Sequence, residues 1–445
     1  MSPGLLATDA YQLNMVEAYL AEDMTGPAVF ELFMRNLAPT RGFLLAAGLA
    51  EAVRFLETAR VSAEDLDWLR GLGRYSERLL DYLAGFRFAG DVDAVPEGTV
   101  VFDQTPLLRI TAPLPAAQLV ETALLNLINF QTMVASKAAR MRLAMPDRPL
   151  VDFGLRRAQG LPSGIFAARA AYLAGLDGTA SVPAGRGYGI PLFGTMAHSF
   201  ILAHKSEAAA FLAFARRCPD QTTFLLDTYD TRAAAETVVR IAPELAAEGI
   251  AIKGVRLDSG DLAAEAREVR RILDGGGLTD VKIMASGNLD EHKLAAIRAD
   301  GAPIDGFGLG TALVTSKDEP ALDSAYKLKA FGGVARRKRS EGKSYAPGPT
   351  DIHRRVGADG RLLRDRLVTA GEMPGQGAEA LLVPVLRGGG RVAPLPDLEA
   401  IRERARAELA RLPDAQRVLS DAPSFEPEPS ATLAALGREV DARRS

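Results

Sequence analysis

The sequence has a single cysteine, Cys218, in 445 residues. This rules out an intramolecular disulfide and any cysteine cluster for zinc or an iron–sulfur centre, and it suits a reducing compartment, so a cytoplasmic location is expected. Excess charge is missing too: 53 Lys and Arg against 56 Asp and Glu leave a formal −3. Nothing in that balance attracts nucleic acid or an anionic membrane in bulk, so a basic site for a charged substrate must be local. Long hydrophobic runs are also absent. The greasiest stretch, Leu119 to Val134, is broken by Glu121, Asn126, Asn129 and Gln131. It is too short and polar to span a bilayer and reads as a buried helix. The opening Met1-Ser2-Pro3-Gly4 has no basic region ahead of an apolar one, so no secretory signal is expected.

What is present is ordinary globular sequence, 47% apolar and 24% charged, in a chain long enough for two packed domains. The first third mixes helical periodicity at Phe43–Leu56 and Ala63–Leu69 with β-like runs at Thr99–Phe102 and Leu107–Thr111, an α+β pattern. Pro113 and Pro115 punctuate the chain before a long helical segment from Ala116. From residue 150 onward, short apolar runs alternate with helical ones: Leu150–Phe153, Ile190–Phe193, Thr223–Leu226, Ile252–Val255, Val281–Met284 and Ile304–Phe307. Such alternation predicts βα units with a parallel sheet. Without a dinucleotide fingerprint, a closed or nearly closed barrel is preferred to a doubly wound sheet. The predicted division is an α+β domain over 1–115, an α/β barrel over 116–320 and a C-terminal segment over 321–445. That last segment holds a strand, Ala325–Phe331, a basic run, Arg336-Arg337-Lys338-Arg339, and a charged helix, Asp397–Arg411. Both charge clusters read as solvated surface. No internal repeat is found.

Residues just past the strands of such a barrel line its catalytic mouth. Here they read Asp152-Phe153-Gly154-Leu155-Arg156-Arg157, Gly194-Thr195-Met196-Ala197-His198-Ser199, Asp227-Thr228-Tyr229-Asp230, Arg256-Leu257-Asp258-Ser259-Gly260-Asp261, Ala285-Ser286-Gly287-Asn288 and Gly306-Phe307-Gly308-Leu309-Gly310-Thr311. The last two resemble phosphate cradles, since glycine permits close backbone approach and a following helix offers free N–H groups. Tight turns use the same glycines. His198 is one of four histidines. A lone histidine is commonly structural, but Asp227 at the next strand end makes a His–Asp pair in which the carboxylate would fix the tautomer. Arg156, Arg157 and Arg256 offer planar donors for carboxylate or phosphate. A structural salt bridge would account for any one of them alone.

Taken together, six segments resemble those of nicotinate phosphoribosyltransferases and follow the family's order: Thr8-Asp9-Ala10-Tyr11-Gln12, Asn129-Phe130-Gln131 through Ser136-Lys137, Phe153 through Gly160, Gly194 through Ser199, Arg256 through Asp261 and Gly308 through Thr311. The resemblance implies an α/β fold, an irregular α/β barrel of the type II phosphoribosyltransferases, with an α+β domain built from the N-terminal region and part of the C-terminal region. It implies a homodimer with shared active sites, no nucleic-acid or membrane partner, and condensation of nicotinate with 5-phosphoribosyl 1-diphosphate to nicotinate mononucleotide and diphosphate. ATP is a co-substrate, and Mg2+ accompanies the diphosphate, its ligands left open. His198 matches a histidine phosphorylated by ATP, and Asp227 the acid that orients it. Phe153 and, from the other subunit, Tyr11 match the residues that sandwich the pyridine ring. Arg256 and Thr195 match nicotinate contacts, Arg156 sits between ring and phosphates, and Asp258 fits a ribose hydroxyl. Ser286, Gly287, Gly308, Gly310 and Thr311 fit the 5-phosphate cradle. The amide-specific relatives carry an Asp where this chain has Ala180. A carboxylate substrate is repelled by Asp and welcomed by Arg, so Ala180 with Arg256 favours nicotinate. The alternatives are a nicotinamide or quinolinate phosphoribosyltransferase, or a non-catalytic barrel that binds pyridine nucleotides.

Overall fold

The computed structural model describes residues 4–338 and 345–443; the leader reading at Met1–Pro3 and Arg339 of the basic run lie outside them. Two compact units emerge. One comprises the chain up to Ser136 together with Glu319 onward, and the other is Lys137–Asp318. The dividing line falls at 136/137 and not at the 115/116 expected from Pro113 and Pro115, because those prolines only start a short helix, Leu114–Leu119. Proline is well tolerated in a helix's first turn.

The first unit opens with α1 (Ala10–Ala21), followed by β1 (Pro27–Met34), β2 (Asp91–Ala94) and β3 (Pro106–Pro113). These strands enter a seven-stranded sheet ordered Val334–Ala335, Ser324–Phe331, β1, β3, β2, Val383–Arg387, Gly390–Arg391. The predicted helix from Phe43 begins only at Leu49, since Leu44–Leu45 pair instead with Val100–Val101. Helix α2 (Glu121–Ala144) contains the greasy stretch and is buried throughout Gln131–Arg140. The basic run is not wholly solvated. Arg337 donates from Nε to Asp441 at 2.8 Å. Among the described residues no helix is long and apolar enough to cross a membrane.

The second unit is built on six parallel strands: β4 (Leu150–Asp152), β5 (Gly178–Thr179), β6 (Thr223–Leu225), β7 (Gly254–Leu257), β8 (Lys282–Ala285) and β9 (Gly306–Leu309). Their spatial order is β5-β4-β9-β8-β7-β6. Alternate residues Val151 and Phe153, Gly254 and Arg256, Lys282 and Met284 line one cavity, and so do Thr223 at one sheet edge and Leu192–Thr195 beside the other. The sheet therefore curls around that cavity as an irregular barrel. Residues in between, such as Val255, Leu257, Ile283, Phe307 and Leu309, are buried.

Three strands lie further along than their apolar runs suggested. Arg256 and Gly308 look like strand ends, yet both occupy inward positions within β7 and β9. The predicted strand Ile190–Phe193 is reduced to a single bridge, Leu192 to Thr179. The ladder position belongs to β5, a Gly-Thr pair with no apolar run to announce it.

Helices α3 (Leu161–Leu173), α4 (Thr231–Ala247), α5 (Leu262–Gly275) and α6 (Glu291–Asp300) alternate with the strands. Asp230, Asp261 and Asp290 cap the last three through their side chains. Each cap contributes about 1 kcal/mol. The loop carboxylates thus divide their work: Asp230 and Asp261 start helices, whereas Asp227 and Asp258 cap none.

Candidate active site

The cavity enclosed by the barrel measures about 390 Å³ and brings Phe153, Thr195, Arg256 and Gly308 together. Phe153 follows β4, and its N–H donates to the Leu309 carbonyl at 2.6 Å. Gly308 is what lets the ring lie there, since a Cβ at that position would overlap Phe153 Cδ2 and Cε2. It is therefore a ring-packing position. Arg256 donates from Nη2 to the Met196 carbonyl at 3.0 Å, while its buried Nε has no partner. Burial lowers the guanidinium's pKa; Asp258 and Asp227 oppose the shift and Arg156 adds to it. A buried donor without an acceptor is costly, and a ligand carboxylate would satisfy it. The Thr195 hydroxyl donates to the Met196 carbonyl at 3.3 Å.

His198 begins a short helix, His198–Leu202. Its Nδ1 meets the Thr228 hydroxyl at 3.2 Å, and its Nε2 lies 4.0 Å from Asp258 Oδ2. The expected His198–Asp227 pair is not formed. Asp227 Oδ2 accepts instead from Ser259 Oγ at 2.6 Å and from the Asp258 amide at 3.3 Å, while its Oδ1 is buried without a partner. Thr228, one residue beyond the acid singled out in the sequence, takes the orienting contact. Arg156 and Arg157 are exposed in a one-turn 3-10 helix, and Arg156 is close enough to Arg256 to influence its titration.

Ser286 and Asp258 lock together through a Ser286 Oγ to Asp258 Oδ1 hydrogen bond. Gly287, at φ +101°, passes so close to the Asp258 carbonyl that a Cβ would overlap it. Beyond this turn, a cleft of about 740 Å³ is lined by Asp258, Gly287, Asn288 and Lys293 among others. Thr311 starts the short helix Thr311–Val314, with Gly310 before it. Gly287, Gly310 and Thr311 thus lie at two turns, each leading into a helix.

Tyr11 belongs to the first unit, on α1, where its hydroxyl donates to Glu121 at 3.4 Å in a cleft that also holds Asp9 and Asn129. Burial raises its pKa, with Glu121 and Asp9 adding to the rise. Ala180 directly follows β5 and is exposed. Two residues escaped the sequence reading as site components. Thr228 could have been suspected from its place beside Asp227, whereas the burial of Asp152 has no signature in sequence.

The model of the nicotinate phosphoribosyltransferase N-terminal domain matches residues 6–129, and that of the nicotinate phosphoribosyltransferase family matches 149–348. The chain belongs to that family. A nicotinate phosphoribosyltransferase of Mycobacterium tuberculosis is 48% identical over 420 residues, 94% of this chain and 89% of its own. The crystal structure of human nicotinic acid phosphoribosyltransferase superposes with a TM-score of 0.87 at 30% identity, covering 98% of this chain and 99% of that one. A Pyrococcus furiosus nicotinate-nucleotide pyrophosphorylase, at 24% identity and TM-score 0.73 over 91% of this chain and 94% of its own, shares the fold. Membership makes this chain a phosphoribosyltransferase of NAD biosynthesis and makes its barrel that of a type II phosphoribosyltransferase.

Proposed function

We propose that this enzyme condenses nicotinate with 5-phosphoribosyl 1-diphosphate, giving nicotinate mononucleotide and diphosphate, and that ATP hydrolysis through a phosphorylated His198 drives the reaction forward. The observation that carries the substrate reading is the unpartnered, buried Nε of Arg256 in the cavity where Phe153 lies. An aromatic face beside a desolvated guanidinium suits a flat ring bearing a carboxylate. Ala180, where the amide-specific relatives carry an Asp, brings no carboxylate to repel it.

In this reading the pyridine nitrogen, which carries no proton at neutral pH, attacks ribose C1 as the diphosphate leaves, and no general base is needed. The protein's work is positioning and charge stabilisation. Phe153 and Thr195 hold the ring, Arg256 the carboxylate, Asp258 a ribose hydroxyl, and Gly287, Gly310 and Thr311 the 5-phosphate. Arg156 faces the departing diphosphate. Ser286 acts by holding Asp258. Mg2+ would arrive with the diphosphate and neutralise part of its charge. Among the described residues no group of three His, Cys, Asp or Glu is placed to hold a metal.

Phosphoryl transfer to His198 breaks the bond between the β- and γ-phosphates of ATP, forms a phosphorus–nitrogen bond and releases ADP; water later cleaves the phosphohistidine. The Nδ1 contact with Thr228 leaves Nε2 as the nucleophile. We also place the enzyme in the cytoplasm as a homodimer in which the partner subunit's Tyr11 completes the ring sandwich. The deciding assay measures mononucleotide formation by the purified protein from nicotinate, nicotinamide and quinolinate, with and without ATP. The expected product is nicotinate mononucleotide, stimulated by ATP, with label from γ-32P ATP on His198 that is lost in His198→Ala. Preference for nicotinamide would overturn the substrate assignment, and absence of both label and stimulation would overturn the coupling.

A further inference from the structure

The mechanism above makes no use of Asp152, whose carboxylate is only 1% exposed at the end of β4. Its Oδ1 accepts from the Gly154 amide at 2.8 Å and its Oδ2 from the Thr179 hydroxyl at 2.7 Å. The Thr179 oxygen accepts in turn from the Ser181 amide at 2.9 Å. A hydroxyl has one proton to give, so the donor order is fixed: Ser181 amide to Thr179, Thr179 to Asp152. Thr179 is also tied by its main chain to the opposite side of the cavity. Its N–H donates to the Pro191 carbonyl and its carbonyl accepts from the Phe193 amide, both at 3.0 Å. The Ala180 amide returns to the Asp152 carbonyl at 2.8 Å.

One carboxylate therefore bridges the turn that carries Phe153 and the segment Leu192–Thr195 that shares its cavity. Both of its hydrogen-bond donors are neutral, and burial raises its pKa. An apolar side chain would hold two strands together at lower desolvation cost. What the carboxylate adds is a fixed spacing and direction that apolar contact does not define.

We propose that Asp152, acting through Thr179, sets the width of the slot between Phe153 and Leu192–Thr195 and so positions the pyridine substrate. This rests on the reading that the ring lies against Phe153. Asp152 touches no substrate and is a positioning residue.

The test uses the full-length enzyme with Thr179→Val, which removes the hydroxyl at equal volume, and Thr179→Ser, which keeps it. Steady-state KM for nicotinate and for 5-phosphoribosyl 1-diphosphate, kcat and the melting temperature are measured for each. Thr179→Val is expected to raise the nicotinate KM about tenfold, the usual effect of one buried acceptor left unpaired, with the second substrate's KM unchanged. Thr179→Ser is expected to stay within about twofold of the parent. An unchanged nicotinate KM in Thr179→Val overturns the proposal, and so does an equal rise of both KM values that Thr179→Ser fails to reverse. If Thr179→Val does not accumulate folded, Asp152→Asn is measured by the same criteria. Phe153→Ala separates the two claims. If it leaves the nicotinate KM unchanged, the ring-site reading itself fails; if it raises that KM while Thr179→Val does not, only the role of Asp152 fails.

Discussion

Arg256 combines two duties that sequence patterns usually keep apart, a strand position and a ligand contact. Its polarity ended the apparent apolar run, so the site was legible while the strand was misplaced by two residues. Truncating it should remove the only guanidinium whose Nε is buried and unpartnered in the ring cavity. Arg256→Ala is expected to raise the nicotinate KM about a hundredfold, in line with loss of a charge-assisted bidentate contact. Arg256→Lys should recover only part of this, because an ammonium lacks the planar fork; full recovery would argue against bidentate binding. Gly308→Ala puts a methyl group into the Phe153 ring. We expect it to impair nicotinate binding, seen by calorimetry, more than binding of 5-phosphoribosyl 1-diphosphate. Asp152 also imposes a pH dependence. Burial raises its pKa above 3.8, so between the two values the unfolded chain loses its proton first and native stability falls as pH rises. Denaturation midpoints measured upward from about pH 4 should carry this falling contribution in the parent and lose it in Asp152→Asn. Contacts of this kind were invisible beforehand, since no local pattern tells a buried carboxylate from a loop one.

Among the elements, the parallel strands were recognisable because β-branched and aliphatic residues recur between helical stretches, and β5 was not because Gly178-Thr179 carries no such signal. The N-caps show the converse. Asp230 and Asp261 look chemical in sequence and serve helix starts in the structure. Helix α6 is held at its first residue by a cluster in which Glu291, Lys137 and Arg140 are buried: Glu291 meets Lys137 at 2.5 Å and Arg140 at 3.0 Å, and Lys137 also meets the more exposed Asp318 at 2.7 Å. Because α6 directly follows the Gly287–Asn288 turn, this cluster steadies the backbone proposed to meet the 5-phosphate. Glu291→Gln removes the buried carboxylate that Lys137 and Arg140 share and should cost about 3 kcal/mol in urea unfolding. Adding Lys137→Met should restore part of the loss, as expected for coupled partners; strict additivity would mean that the two residues act independently.

For the whole molecule, composition excluded more than it identified: one cysteine and near-neutral charge removed disulfide scaffolds and bulk polyanion binding. The separation into two compact units was mislocated because prolines that start a helix look the same in sequence as prolines that end a domain. The proposed sharing of sites between subunits has a direct test. Tyr11→Ala and His198→Ala, each impaired alone, should regain activity when co-expressed, because mixed dimers then hold one intact site; no recovery in verified mixed dimers would place Tyr11 outside the partner's site. The chain's path also bears on its synthesis. β1 is flanked in its sheet by Ser324–Phe331, a strand that is made only after the whole of Lys137–Asp318. At about 5–20 residues per second, the N-terminal third waits roughly ten seconds or longer with an unpaired strand edge exposed. The later-made barrel is thus the first unit able to complete itself, and the early strands are where a nascent chain most needs a chaperone.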